Sequence, residues 1–267
     1  MVFIAIAAAT LYLITGGLLA YRLFRGGPAA QSGSGKYIAL GAVAVALHAV
    51  VLYTNIFNVD GLNLGFFNAV SLLSWFIALL LLLAATTSPV ENLGILILPL
   101  ATVAIIMEIA LPSDNLLAIH TDSGLGVHIL LSVLTYSLLA IAAVQAILLA
   151  VQDNYLRNRH PGGFIRALPP LSTMETLLFQ LIGVGFVLLS MALVTGAIYM
   201  ENMFAQHLVH KTILSIIAWL VFATLLWGRW RFGWRGRTAI RWTLSGFALL
   251  ALAYLGSKLV LEIILNR

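Results

Sequence analysis

The chain has 267 residues, of which 62% are hydrophobic and only 9% charged, with a formal net charge of +5. So few charges cannot surround a soluble core with a hydrated surface, which excludes an ordinary water-soluble domain. Cysteine is absent, which excludes a disulfide, a thiol relay and covalent haem attachment through CxxCH; a haem iron would have to be held by His or Met.

Eight apolar runs follow one another, approximately over residues 2–23, 37–57, 66–86, 94–111, 125–151, 177–200, 209–228 and 239–264. At 1.5 Å of rise per residue, about 18 to 20 residues cross a hydrocarbon layer of about 30 Å. The runs are continuous rather than alternating, so they predict helices and not a transmembrane barrel. The expected fold is therefore all-α: a polytopic membrane bundle of eight transmembrane helices, forming a single integral membrane domain over residues 1–267.

In the first run no basic residue precedes the apolar stretch, while Arg22 and Arg25 follow it; this charge order predicts a retained helix and not a signal peptide. "RGGPAAQSGSGK" then reads as a flexible linker. The second run carries His48 near its middle, about 14 Å along the axis from its outer end. A polar residue at that depth is either a neutral imidazole hydrogen-bonded to a neighbouring helix or a ligand or proton-relay group. Glu108, near the outer end of the fourth run, is a candidate partner for an imidazole or an interfacial carboxylate.

His120 falls in an external loop and is expected to be solvated. The fifth run opens "GVHILLSVLTYSLL" and places His128 one turn inside, the foremost ligand candidate beside a packing or interfacial role. After it comes "RNRHPGGFIRALPPLSTMET", with a solvated His160 and with Ser172 or Thr173 as expected cap of the sixth helix. The seventh begins within "FAQHLVHKTILSIIAW". His207 and His210 are three apart, so an early helix start puts them on one face. They cannot supply both axial positions of one haem, because these lie on opposite sides of the macrocycle; another helix must contribute. They could instead mark the membrane interface, or join His128 or Glu108 around Zn or Cu, without an HExxH-type spacing.

The run "WGRWRFGWRGR" interleaves Trp227, Trp230 and Trp234 with arginines. Between two spans this predicts interfacial anchoring and anionic-lipid contact rather than nucleic-acid binding. Lys258 and Glu262, four apart in the last run, predict an intrahelical ion pair. Eleven of the fourteen Lys and Arg residues fall in the first, fifth-to-sixth and seventh-to-eighth connections. By the positive-inside rule those connections are cytoplasmic and both termini extracytoplasmic.

Residues 168–256 contain, in order, "LPPLSTMETLLFQLIGVGFVLL", "TGAIYMEN", "SIIAWLVFATLLWGRWRFGWRGR" and "GFALLALAYLGS". With "VHILLSVLTYSLLAIA" the pattern covers about residues 125–256 and resembles the cytochrome c assembly protein family, the membrane haem handlers typified by CcsA and CcmC. It is most similar to the compact eight-helix branch called YpjD or HemX-like, which implies a bacterial inner (plasma) membrane location. In haem-transporting members the external stretch between the sixth and seventh helices carries a Trp-rich platform flanked by axial histidines. Here that stretch is "MENMFAQHLVHK", without the tryptophans and the Asp, and with His207 and His210 in their place. His128 matches the external histidine ahead of the platform. The family's two later histidines have no counterpart in "LLWGR" or at the end of "GSKLVLEII".

The resemblance implies non-covalent haem b binding near the outer face, with His128 as one ligand, His207 or His210 as the other, and His48 as a deeper alternative. No nucleophile–base pair accompanies these histidines, so no bond-making catalysis is expected. The alternative is a non-haem scaffold or regulator of another membrane complex or of a haem-synthesis enzyme, docking through its basic loops. A solute transporter ranks last, because paired broken helices and mid-bilayer charges are not evident.

Overall fold

The structure is a computed structural model that describes residues 1–25, 34–58, 61–111, 116–117, 123–158, 168–199 and 206–256. Among the described residues, eight helices are long and apolar enough to cross a membrane. They are α1 (Val2–Arg25), α2 (Ser34–Ile56), α3 (Phe66–Ala85), α4 (Gly94–Ala110), α5 (Ser123–Arg157), α6 (Leu171–Tyr199), α7 (Gln206–Phe232) and α8 (Gly236–Ala251), which tightens into a π turn over Leu252–Gly256. The helices outrun the apolar stretches at α5 and α6, because a helix keeps its backbone pairing in water beyond the lipid boundary and hydropathy does not report that extension. Pro169 and Pro170 precede Leu171, so α6 begins ahead of the expected cap; Ser172 and Thr173 lie inside its first turn, where the Ser172 carbonyl accepts from Thr176 Oγ1 at 2.9 Å. Lys258, Glu262, His120 and His160 lie outside the described residues.

Two connections that read as plain loops pair instead. Strands β1 (Phe57–Asn58), β2 (Gly61–Asn63) and β3 (Leu116–Leu117) form an antiparallel sheet in the order β1-β2-β3, with Phe57 opposite Leu62 and Leu62 opposite Leu117. Buried Asn63 braces the step into α3: its Oδ1 accepts from Gly65 N–H at 3.2 Å and its carbonyl accepts from Asn68 Nδ2 at 3.1 Å.

The chain divides into two compact units, one comprising Met1–Ile119 with Asn154–Pro170 and the other His120–Asp153 with Leu171–Arg267. In the first unit α1 packs against α2 and α4, and α3 against the same two helices. One stripe of α1, Ala5, Ala8, Tyr12, Thr15, Leu19 and Leu23, is buried, and its spacings of three and four residues are those of a single helix face. Ala44, Ala78 and Ala101 meet it in the core. Lipid tails are as apolar as leucine, so close backbone approach over small residues and interhelical hydrogen bonds replace the hydrophobic drive between helices. Trp75 Nε1 accordingly donates to the Val45 carbonyl at 2.8 Å, and Thr102 Oγ1 to the Ala9 carbonyl at 3.2 Å.

In the second unit α5 and α6 run antiparallel. His128 meets Ala192, Leu139 packs on Gly185, and Gln145 Nε2 donates to the Met174 carbonyl at 3.1 Å. Trp219 on α7 donates from Nε1 to Ser190 Oγ at 2.8 Å while stacking on Phe186, and Phe222 lies against Gly246 of α8. This ordering puts His128 at one end of the unit and the arginine-rich α7–α8 turn at the other.

Candidate functional site

His128 is half-buried in the second turn of α5, facing the last turns of α6. Its Nδ1 lies 3.0 Å from the Ala192 carbonyl oxygen and 3.2 Å from Thr195 Oγ1. A carbonyl only accepts, so Nδ1 carries the ring proton, and the lone pair is left on Nε2. Thr195 donates its own proton to the carbonyls of Met191 and Ala192, at 2.9 and 3.1 Å, so its oxygen lone pair also faces Nδ1–H. Gly196 makes the floor: a Cβ there would sit 3.0 Å from His128 Cε1 and 3.4 Å from Nδ1. One turn towards the N-terminus, Gly124 lies under the ring of Tyr199 in the same way. An imidazole whose Nδ1–H is held by a carbonyl and whose Nε2 is unprotonated has the form in which histidine binds a metal.

α7 begins at Gln206, early enough for His207 and His210 to share a helix face as expected, and His210 is exposed there. Because α7 follows α6 directly, these residues occupy the same end of the second unit as His128. The side chain of His207 and the stretch over residues 200–205 lie outside the described residues. The described residues thus show one oriented imidazole on α5, at the same end of the second unit as the start of α7.

His48 belongs to the first unit and is buried, as are Tyr12, Ser71 and Glu108. Its Nδ1 is 3.3 Å from the Tyr12 hydroxyl and its Nε2 is 2.9 Å from Ser71 Oγ. Ser71 donates to Glu108 Oε2 at 2.5 Å, and Asn55 Nδ2 donates to Glu108 Oε1 at 2.9 Å. The expectation of an imidazole hydrogen-bonded to a neighbouring helix is met on both ring nitrogens, and iron could bind His48 only by displacing one of these partners. Glu108 reaches an imidazole through Ser71, and both its oxygens are engaged. Tyr12, Ser71 and Asn55 went unremarked in the sequence, where a lone hydroxyl or amide in an apolar run carries no phase information. Among the described residues no group of three or more His, Asp or Glu side chains gathers as a metal site.

At the arginine-rich end of the second unit, the turn 233–236 is built rather than splayed into lipid. Gly233 and Gly236 take positive φ, 66° and 52°, a region that glycine enters at no steric cost. Trp234 folds back onto Gly228, where a Cβ would meet its ring at 2.3 Å, and packs against Trp242. Glu175 accepts from Gly236 N–H at 2.7 Å and from Arg235 Nε at 2.9 Å; Arg237 Nε donates to Asp153 at 3.2 Å. Arg229 donates to the Trp234 carbonyl at 3.2 Å and lies over the Phe179 ring. Trp227 and Trp230 are exposed, whereas the half-buried indole of Trp234 packs against Gly228 and Trp242.

Comparison with known proteins adds three findings. Residues 37–265 match the model of a family described as Cytochrome C assembly protein, reaching well ahead of the residues 125–256 that carry the resemblance in the sequence. The chain is 36% identical over 228 residues to the Inner membrane protein YpjD of Escherichia coli K12, covering 83% of this chain and 85% of that one. It is 28% identical over 215 residues to the Cytochrome c biogenesis protein CcsA of Prochlorococcus marinus, covering 69% and 68%, and 29% identical over 113 residues to that of Gloeothece citriformis, covering 42% and 34%. No solved structure matches the chain.

Proposed function

The chain belongs to the cytochrome c assembly protein family and is a multi-pass protein of the bacterial inner membrane, and we propose that it binds haem b non-covalently at the His128 end of its second unit and assists haem delivery in cytochrome biogenesis. The observation that carries this reading is the hydrogen bond from His128 Nδ1 to the Ala192 carbonyl, which leaves Nε2 as the ligating nitrogen. When bound, haem would supply a redox-active iron held by side chains of the protein. His128, fixed in rotation by Ala192, Thr195 and the floor at Gly196, would hold it from α5, together with His210 or His207 from α7. The carbonyl draws on the Nδ1 proton and makes Nε2 a better donor. Delivery is inferred from the relatives named as cytochrome c biogenesis proteins. The arginine cluster at the opposite end supports placing the His128 end of the second unit outside. A scaffold docking through basic loops has less support, because Arg229, Arg235 and Arg237 already have partners inside the second unit.

The test is an absorption spectrum of protein purified from haem-replete cells, repeated after hemin addition. The wild type is expected to show a Soret band that is lost or shifted in His128→Ala and in the His207→Ala/His210→Ala double variant. No band in the wild type under either condition overturns the proposal.

A further inference from the structure

The first unit contains one unbroken line of polar atoms inside an apolar core, contributed by all four of its helices. It runs from the Tyr12 hydroxyl on α1 through His48 on α2 and Ser71 on α3 to Glu108 on α4, with steps of 3.3, 2.9 and 2.5 Å. Ionisable groups buried at membrane depth are costly, and where they line up they mark proton paths. The geometry also restricts where the protons lie. Ser71 has one proton and two neighbours at hydrogen-bond distance, so it donates to one and accepts from the other.

Only two arrangements satisfy that constraint with a neutral imidazole. In the first, Glu108 is ionised, Ser71 donates to it, His48 donates from Nε2 to Ser71, and Tyr12 donates to Nδ1. In the second, Glu108 is protonated and donates to Ser71, Ser71 donates to Nε2, and His48 donates from Nδ1 to Tyr12. Asn55 serves both, because its Nδ2 donates to Glu108 Oε1 in either case. The second arrangement takes an acceptor from the Tyr12 hydroxyl, and the first buries a carboxylate charge against Ser71 and Asn55.

We propose that Tyr12, His48, Ser71 and Glu108 form a proton-binding and proton-transfer site, in which Glu108 takes up one proton while His48 changes tautomer. The two arrangements differ by one proton, and the transfers between them balance. A proton entering at Tyr12 replaces the one its oxygen passes to Nδ1; Nε2–H breaks as Oγ–H forms on Ser71; the former Ser71 proton passes to Oε2. Reversal of the same transfers restores the first arrangement, and half-buried Asn55, the penultimate residue of α2 before β1, joins Glu108 to the sheet-bearing end. The relay therefore runs between mid-α1 and that end.

Among the described residues the titratable groups around it are few. The line itself holds Tyr12, His48 and Glu108. Tyr53 on α2 is exposed and faces Phe57, and the Met1 amino group lies at the same end, its side chain reaching Thr54. On these helices Tyr21, Arg22, Lys36 and Tyr37, with Glu91 before α4, lie at the opposite ends of their elements. The proposal concerns the first unit alone and stands whether or not His128 binds haem.

The test uses the full chain in lipid bilayers, with the His48 tautomer followed by solid-state nitrogen NMR and the Glu108 carboxyl by infrared spectroscopy across a pH titration, the carboxyl signal assigned by its loss in Glu108→Gln. In the wild type the carboxyl band of a neutral acid and the change from Nε2–H to Nδ1–H are expected to share one midpoint. Ser71→Ala should leave Glu108 titrating while His48 no longer follows it. A Glu108 that keeps one charge state throughout, a His48 that keeps one tautomer through the Glu108 titration, or a coupled switch that survives Ser71→Ala each overturns the proposal. A structural clamp would give the first or second of these outcomes, so the wild-type titration decides even if the variant does not fold.

Discussion

Gly196→Ala separates the stability of α6 from the placement of His128. The new methyl would lie 3.0 Å from Cε1 and 3.4 Å from Nδ1 of the ring, inside the roughly 3.5 to 4.0 Å at which carbon atoms pack without repulsion. The ring must move by a few tenths of an ångström, and the bond from Nδ1 to the Ala192 carbonyl, now 3.0 Å, is the restraint that yields. Weakening a hydrogen bond worth about 0.5 to 1.5 kcal/mol lowers affinity at Nε2 by roughly two- to tenfold. The same substitution favours the helix by about 0.5 to 1 kcal/mol, since alanine loses less backbone freedom than glycine. Hemin titration followed at the Soret band, beside thermal unfolding of the same preparation, should therefore show weaker binding with an unchanged or higher melting temperature. Wild-type hemin affinity in a folded Gly196→Ala protein would refute the claim that this floor positions a ligating ring.

Two stability outcomes test the rest of the second unit. Glu175→Ala removes the acceptor of Gly236 N–H at 2.7 Å and the partner of Arg235. Arg235 is 59% exposed, so its ion pair counts for about 0–1 kcal/mol, and the charged bond to the amide, about 1.5 to 3 kcal/mol, dominates. Thermal unfolding should show a clear loss for Glu175→Ala and a much smaller one for Glu175→Gln, which keeps an acceptor; equal losses would mean that the ion pair matters more than the amide. Ser137 Oγ is buried with no hydrogen-bond partner among the described residues, so Ser137→Ala should melt at or above the wild-type temperature. A marked fall would reveal a partner for that hydroxyl.

Helix number and order were legible because each span must be apolar over its whole width, a long signal that chance rarely produces. The sheet was not: strands of two and three residues have no period to detect, Phe57 read as the end of the second span, and Leu62 read as a loop residue. His48 was legible as a buried imidazole, and Glu108 as its kind of partner. Their link through Ser71 depends on the rotation of α3 about its own axis, which an almost uniformly apolar helix does not write into its sequence. His128 was found from its place in a motif, whereas its tautomer follows from Ala192, 64 positions away in the chain. The packing of Trp234 was not legible, because tryptophan among arginines is the usual mark of a membrane boundary. The contrary cue was local, in Gly228, Gly233 and Gly236, which leave the space and supply the backbone angles for an indole to turn inward.

Helix α5 has 35 residues and α4 has 17, so their lengths are about 53 Å and about 26 Å. With the turn Glu91–Leu93 the fourth span has 20 residues and about matches a hydrocarbon layer of about 30 Å, whereas α5 protrudes from it. Thickening the bilayer with longer acyl chains would stretch the match at α4 while α5 absorbs the change by standing more upright, so one sheet of lipid pulls on the two helices in different ways. Acyl-chain length is thus a variable to which this protein should respond, apart from any ligand.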